Sequence, residues 1–317
     1  MKKHKYKLIT ISILITLTSL AIALINKFIN ASATLKNILH PDKEQYYDWR
    51  FGKIFYTKEG TGKPILLIHD LTPASSSYEW NFIVDTLKKD RTVYTIDMLG
   101  CGRSDKPKIT YTNFLYVQLI SDFIKSIVKE PCDVIATGLS GSFVLGACKM
   151  NSNLFGKIML INPEDLAVLN RVPTKNTKIA KFLLELPLIG TLVYNIISAR
   201  ANIELLFTEN YLFNPFHLNA NDVDAYYESC HLGHGDGKYL LSSIKGNYIY
   251  LNIALAVKEI NNSVYIIGGS GQKGIKETIA LYTSLNASFE YEIISRVSHL
   301  PQLEEPVKLL EQIRIFF

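Results

Sequence analysis

Cysteine and tryptophan are scarce in this chain of 317 residues, which contains four cysteines and two tryptophans. The cysteines lie far apart, and no C-x-x-C pair of the kind used in metal or redox sites occurs. Internal repeats and low-complexity tracts are also missing. Because Cys132 and Cys148 lie in apolar surroundings, we expect the cysteines to be free thiols that pack as small core residues.

Excess charge is equally scarce outside the N-terminus. The net charge is +5, but four lysines precede Leu8, so the rest of the chain carries a net charge of only +1. No basic patch for nucleic acid is implied, and we expect no nucleic-acid partner. The length suits one large domain or two average ones and is ample for a buried core.

Charge is absent altogether from the eighteen residues between Leu8 and Ile25. This run predicts a membrane segment in residues 1–33, as either an uncleaved anchor or a signal peptide cleaved after Ala33. A spanning helix needs about 20 apolar residues and a signal-peptide core roughly 7 to 15, which favours the anchor. The preceding lysines predict that the chain beyond residue 30 faces the outside of the cell membrane, or is secreted if it is cleaved.

Short apolar runs alternate with helix-length stretches through much of the remaining chain. We predict strands at residues 49–57, 64–68, 92–96, 133–136, 157–161 and 264–267, and helices at residues 79–88, 116–129 and 142–150. Strands that alternate with helices form crossover units in a parallel sheet. The predicted fold class is therefore α/β, with a mostly parallel sheet flanked by helices.

The strand rhythm fails for about a hundred residues, where helical patterns at 179–186, 189–199 and 223–230 predict an inserted helical cap. The predicted organisation is a membrane segment (1–33), a linker (34–47), a first core part (48–164), the cap (165–260) and a second core part (261–317). The cluster of Cys230, His231, His234 and Asp236 lies in the cap, but its spacing matches no usual zinc signature. We expect no metal and no cofactor.

Four motifs follow the predicted strands in a fixed order. They are His69-Asp70-Leu71, the loop from Asp97 to Pro107 with the pattern D-x-x-G-x-G-x-S-x-x-P, the turn Gly138-Leu139-Ser140-Gly141-Ser142, and the segment from Ser298 to Pro306 with the pattern S-H-L-P-x-x-E-x-P. This set resembles the α/β-hydrolase fold family over residues 48–317. The resemblance implies an eight-stranded sheet and a nucleophile at the strand-to-helix turn, here called the elbow (residues 138–142).

The resemblance assigns Ser140 as nucleophile and His299 as its general base. A serine hydroxyl is a weak nucleophile at neutral pH and becomes reactive beside such a base. The family pattern takes the oxyanion donors from the backbone N–H groups of Leu71 and Gly141. Ser142 stands where the elbow pattern has glycine.

The chain departs from the family at Asp70, because the family usually has glycine after the histidine. If the Asp70 carboxylate pointed at the developing oxyanion it would oppose catalysis. If it pointed to solvent or paired with a cation, its cost would be small. Aspartate is among the better substitutes for glycine because it can enter the left-handed backbone region.

The acid of the triad is a second departure, because the segment after the strand at 264–267 has no carboxylate between Gly268 and Gly274. Some family members place the acid after the preceding strand, and this alternative indicates Glu164 or Asp165, with Glu164 favoured. Both residues also suit an ordinary helix N-terminus.

Two functions follow from these observations. The first is a membrane-anchored serine hydrolase that cleaves a carboxylic ester or related apolar acyl substrate. The second is a non-catalytic surface protein that binds a ligand or partner with the same fold. The second gains support if no carboxylate lies within hydrogen-bond reach of the His299 ring nitrogen that faces away from Ser140.

Overall fold

A twisted sheet forms the centre of the computed structural model, which describes residues 2–40 and 45–317. In these residues the strands are β1 (Tyr46–Trp49), β2 (Gly52–Glu59), β3 (Lys63–Ile68), β4 (Arg91–Ile96), β5 (Cys132–Thr137), β6 (Phe155–Ile161), β7 (Val264–Gly269) and β8 (Glu290–Ile294). Their spatial order is β1-β2-β4-β3-β5-β6-β7-β8. Strand β2 pairs antiparallel with β1 and β4, whereas all pairs among β3 to β8 are parallel.

The apolar strands are buried on both sides of the sheet. In β3, Leu66 and Ile68 join the large apolar cluster on one face, whereas Ile65 and Leu67 join the cluster on the other. Alternate side chains of a strand point to opposite faces, so a strand covered on both faces needs an unbroken apolar run. The prediction of an α/β fold with a mostly parallel sheet is confirmed.

Helices cover both faces of the sheet and fill the segment between β6 and β7. They are α1 (Lys2–Ala33), α2 (Asn81–Leu87), α3 (Asn113–Phe123), α4 (Ser140–Met150), α5 (Leu166–Leu169), α6 (Lys175–Glu185), α7 (Ile189–Ile197), α8 (Arg200–Leu206), α9 (Ala220–His231), α10 (Lys238–Lys245), α11 (Ala254–Glu259), α12 (Ile275–Leu285), α13 (Pro301–Glu304) and α14 (Pro306–Phe316). Helices α5 to α11 lie in or at the end of the predicted insertion, and we call residues 165–260 the helical insertion.

The predicted strand at residues 49–57 is two strands, because the chain turns between Trp49 and Gly52 and pairs with itself. Strand β8 was not predicted. Its first three side chains, Glu290, Tyr291 and Glu292, are exposed, so it lacks the apolar run of the buried strands.

The chain after α1 is attached to the helical insertion. The Lys36 ammonium pairs with Asp224, and the backbone N–H groups of Ile38 and Leu39 donate to the Glu228 carboxylate at 2.7 and 3.2 Å. Asp224 and Glu228 belong to α9. Residues 34–40 of the predicted linker are therefore docked on this helix, and residues 41–44 lie outside the described part of the chain.

Helix α1 is long and apolar enough to cross a membrane, over Tyr6–Ala33. Its last turns pack against α7 and α9. The side-chain amide of Asn26 donates to the Leu188 carbonyl at 3.1 Å, and the Asn195 amide donates to Asn26 Oδ1 at 2.9 Å. By contrast, the side chains from Tyr6 to Thr18 are exposed.

Candidate active site

Ser140 is the first residue of α4 and follows directly on the turn that ends β5. Gly138 makes this turn with φ +56°, and a Cβ atom there would lie 2.3 Å from Asp70 Oδ1. Glycine is therefore required both by the left-handed backbone and by the neighbouring carboxylate. The Ser140 side chain is fully buried, and its hydroxyl donates to the His69 carbonyl at 2.6 Å.

Asp70 follows β3 and lies between the elbow and His299. Its Oδ1 accepts hydrogen bonds from the backbone N–H of Leu71 at 2.8 Å and of Leu139 at 2.9 Å. Its Oδ2 lies 3.1 Å from His299 Nε2. Burial alone would raise the pKa of Asp70, but the His299 ring and the two N–H donors hold the pKa below 3.8.

His299 lies in the loop between β8 and α13, where both of its ring nitrogens face oxygen atoms. Nε2 meets Asp70, and Nδ1 lies 3.3 Å from Gln272 Oε1. The Tyr211 ring from the helical insertion stacks on the imidazole, with centroids 5.0 Å apart and planes 18° apart. Burial lowers the pKa of His299, yet Asp70 raises it above 6.5 overall, so the charged imidazolium suits this environment.

Asn162, directly after β6, holds the loop that carries the histidine. Its side-chain N–H donates to the carbonyls of Ser298 and His299, both at 2.9 Å. Its Oδ1 accepts from the Gly269 N–H at 2.8 Å. One amide thus joins the ends of β6 and β7 to the His299 backbone, and sequence reasoning missed it because a single asparagine carries no motif.

The acid side chains expected from the sequence take other partners. Glu164 Oε1 accepts from the Asp165 N–H at 3.3 Å, and Asp165 Oδ1 accepts from the Ala167 N–H at 2.6 Å as the cap of α5. The hydrogen bonds of the His299 ring go instead to Asp70 and Gln272. The expectation that Glu164 orients His299 is thus corrected here: Gln272, in the usual loop after β7, faces Nδ1.

The two expected oxyanion donors are engaged within the protein. The Leu71 N–H donates to Asp70 Oδ1, and the Gly141 N–H donates to the Gly138 carbonyl at 3.2 Å. The Asp70 side chain is the physical reason at Leu71, because a carboxylate attracts the same N–H groups that an oxyanion would. The Asp70 carboxylate thus accepts one of the N–H groups expected to bind the oxyanion and also contacts the His299 ring.

Glu79 is a buried carboxyl group behind this site that the sequence did not indicate. It accepts from the Tyr226 hydroxyl at 2.8 Å and from the Gln302 amide at 3.2 Å. Burial, with the nearby charge of Asp70, raises the pKa of Glu79 to about 7. The site thus contains a second acid that is half protonated near neutral pH.

His69 supports the backbone beside the elbow. Its Nε2 accepts from the Met98 N–H at 2.9 Å, and its Nδ1 donates to the Asp70 carbonyl at 2.5 Å. Complete burial lowers the pKa of His69, so the neutral ring is the stable form. Its role is to join the loops after β3 and β4.

The cysteine and histidine cluster of the helical insertion gives no metal site. In residues 6–40 and 45–317, no group of three or more His, Cys, Asp or Glu side chains is arranged to hold a metal ion. His231 Nδ1 instead donates to the Tyr227 carbonyl at 2.7 Å. The four cysteines are buried free thiols.

Curated relatives match parts of the chain. A 2-hydroxy-6-oxo-6-(2'-aminophenyl)hexa-2,4-dienoic acid hydrolase from Metapseudomonas resinovorans is 30% identical over 115 residues, which are 36% of this chain and 40% of that protein. The matched segments thus span less than half the length of this and the other curated relatives.

Two solved structures have a similar fold. A serine hydrolase involved in carbazole degradation has a TM-score of 0.71 and 18% identity, and the match covers 86% of this chain and 98% of that chain. A carboxylesterase from Bacillus subtilis has a TM-score of 0.66 and 15% identity, with 93% and 98% covered. The model of the alpha/beta hydrolase family matches residues 65–312. The chain therefore belongs to the alpha/beta hydrolase family.

Proposed function

We propose that this protein is a membrane-anchored serine hydrolase that cleaves a carboxylic ester or a related small acyl substrate, with Ser140 as nucleophile and His299 as general base. One observation carries the proposal: the Asp70 carboxylate joins the elbow, through the Leu139 N–H, to the His299 ring. A nucleophile and a base separated by one side chain need only that side chain to move before they can meet.

The reaction begins when His299 Nε2 has released its proton to solvent, so that the neutral imidazole can act as a base, and Asp70 leaves His299 and the Leu71 N–H. The Ser140 hydroxyl then turns from the His69 carbonyl to His299 Nε2. Its oxygen attacks the carbonyl carbon, and its proton passes to Nε2 and then to the leaving group. Water attacks the acyl-enzyme by the same route, so that the acid is released and Ser140 is restored. Gln272 holds Nδ1, and the freed Leu71 N–H stabilises the oxyanion.

The charge of the site favours an uncharged substrate. The charge of Asp70 raises the pKa of both Glu79 and Glu164, so a further anion beside these three carboxyl groups is disfavoured. The relative from Metapseudomonas resinovorans is named for a carboxylic acid substrate. We therefore expect the substrate of this chain to lack the carboxylate of that compound.

Labelling with a fluorophosphonate probe tests the proposal. The probe forms a covalent bond with an activated serine, so wild type should label and Ser140→Ala should not. Ser142→Ala is the matched control, because this buried neighbour donates only to the Leu139 carbonyl within the described structure. Absence of labelling in folded wild type and in Asp70→Gly would contradict the proposal.

A second candidate is a non-catalytic binding protein. It is favoured by Gln272, since the partner of His299 Nδ1 is an amide where a working triad has a carboxylate. The same labelling experiment separates the two candidates. A binding protein should stay unlabelled even in Asp70→Gly, which restores the glycine usual in the family.

The membrane anchor is part of the proposal and has its own test. Helix α1 supports it by its uncharged run, and the contacts of Asn26 with the helical insertion favour retention of the helix after export. Protease added to intact cells should digest the domain after residue 34 while the cell-bound fragment resists alkaline extraction. Full protection of the domain, or its release by alkali, would contradict the anchored orientation.

A further inference from the structure

An apolar surface lies on the helical insertion beside the end of α1. It consists of one side of α6 and one side of α7, and its members are Ile179, Phe182, Leu183, Ile189, Val193, Ile196 and Ile197, all of them exposed. We call this set the apolar face. Seven exposed large apolar side chains on two consecutive helices, which meet at 101°, are unusual on a soluble protein and indicate a contact surface.

Helix α7 is turned with its polar side inward. Tyr194 and Asn195 are buried, and they bond to the Cys230 carbonyl and to Asn26. Ile189, Val193 and Ile196 follow helical spacing on the exposed side, and Ile196 is 59% exposed. No charged residue occurs between Glu185 and Arg200. A helix with this arrangement needs an apolar medium on its outer side.

The position of the apolar face relative to α1 identifies that medium. Leu188, between α6 and α7, receives the hydrogen bond from Asn26, which directly follows the uncharged run that ends at Ile25. The segment that joins the two helices is thus fixed to the outer half of the helix Tyr6–Ala33 that could span the membrane, directly after residues Leu8 to Ile25. The apolar face lies next to the outer end of that span rather than at a distance set by a flexible linker.

Charges at the border of the apolar face fit the same partner. Lys175 and Lys178 are exposed on the first half of α6, two turns and one turn before Phe182, and Lys27 is exposed on α1. Interfacial helices commonly combine an apolar face with lysines that reach the lipid phosphates. If the apolar face bound a second copy of this chain instead of lipid, its position next to the end of a membrane helix would have no explanation.

We infer that the apolar face of α6 and α7 rests in the outer leaflet of the lipid bilayer, so that the helical insertion is a second membrane contact beside α1. This inference rests on the proposed anchoring by α1. It goes beyond anchoring because it fixes which side of the catalytic domain meets the lipid. The depth expected for such helices is about 5–10 Å below the headgroups.

Tryptophan fluorescence of the full chain in lipid vesicles tests the inference. Ile196→Trp places a reporter on the apolar face, and Ile315→Trp places one at an exposed position of α14, where the wild-type side chains are 59% and 74% exposed. Helix α14 packs where the parallel strands begin, since Lys157 of β6 bonds to the Phe316 carbonyl, whereas the helical insertion follows the other end of β6. Trp49 and Trp80 are buried, and their signal is subtracted with wild type.

Vesicles of phosphatidylcholine and phosphatidylglycerol are prepared with and without bromine on the acyl chains, and flotation first shows whether each protein is anchored. Bromine should quench Ile196→Trp roughly twofold and leave Ile315→Trp unchanged, because quenching requires contact with the acyl region.

Flotation without quenching at residue 196 would overturn the inference and leave the anchor intact. Quenching equal at both positions, or an emission change that depends on protein concentration instead of bromine, would also overturn it. Failure to float would refute the anchor itself.

Discussion

Two buried aspartates follow neighbouring strands, Asp70 after β3 and Asp97 after β4, and their carboxylates have partners of different chemistry. Asp97 accepts from the N–H of Ser77 and from the N–H and guanidinium of Arg103. Asp70 accepts from two N–H groups and from the ring of His299. Arginine stays charged at every accessible pH, whereas histidine can lose its proton, so only the Asp70 pair can be uncoupled by a proton transfer.

The same glycine device supports both carboxylates. Gly102 has φ +47°, and a Cβ there would lie 2.3 Å from Asp97 Oδ2, as a Cβ at Gly138 would from Asp70 Oδ1. Each carboxylate therefore lies directly against the backbone of a glycine. Tight packing around a buried acid therefore does not reveal its role, whereas the chemistry of its partner does.

The largest expected effect is on stability at Asp97. Asp97→Asn leaves the partly buried Arg103 guanidinium without its buried counter-charge and should lower the free energy of unfolding by about 3–5 kcal/mol. The matched change Asp70→Asn should cost only about 1–2 kcal/mol, because His299 can become neutral. Denaturant unfolding of both variants measures the difference. Equal losses would remove the distinction between the two acids.

The next effect is on reactivity at Asp70. Asp70→Gly frees the Leu71 N–H and the His299 ring, so fluorophosphonate labelling of Ser140 should become at least about tenfold faster. This faster labelling should be absent from the double variant Asp70→Gly with Ser140→Ala. A slower rate in Asp70→Gly, with its fold intact, would mean that Asp70 assists the reaction and does not restrain it.

A smaller effect is expected from the contact between Gly138 and Asp70. Gly138→Ala places a methyl group against the carboxylate and should destabilise wild type more than the Asp70→Gly variant, by about 1 kcal/mol in a double-mutant cycle. The backbone strain of alanine at positive φ is common to both backgrounds and cancels. Additive losses would show that the carboxylate moves aside without cost.

The mildest effect is on pH dependence. Because Asp70 raises the pKa of His299, the labelling rate of wild type should rise at pH above 6.5 as the imidazolium loses its proton. In Asp70→Asn burial dominates, so the inflection should move to lower pH. A pH–rate profile of both proteins checks this, and an unmoved inflection would show that another group controls the rate.

The pH dependence of folding stability follows from the pKa shifts of Asp70 and His299. The pair stabilises the fold while Asp70 is ionised and His299 is protonated. The share of Asp70 is lost as the pH falls below 3.8 through its lowered pKa, and that of His299 is lost as the pH rises above 6.5 through its raised pKa. The difference between wild type and Asp70→Asn should therefore be greatest between these limits, as unfolding at a series of pH values would show.

The sequence predicted the sheet and the elbow because both have local causes. The buried strands require continuous apolar runs, and the turn at Gly138 requires glycine. The partners of His299 were not predictable, because Asp70 and Gln272 come from loops 202 residues apart and meet only when β3 and β7 join the same sheet. An amide in the place of an acid also gives no signal to a search for carboxylates.

The docked connector has a mechanical consequence. A domain on a flexible tether rotates freely about its anchor and presents its active site in all directions. Here the end of α1 and the connector are bonded to α7 and α9 through Asn26, Lys36 and Leu39. The helix and the domain therefore move together. In the proposed anchored protein, any tilt of α1 would be transmitted to the domain, and the height and direction of the Ser140 site would follow from the angle of α1 together with the contact of the apolar face with the lipid.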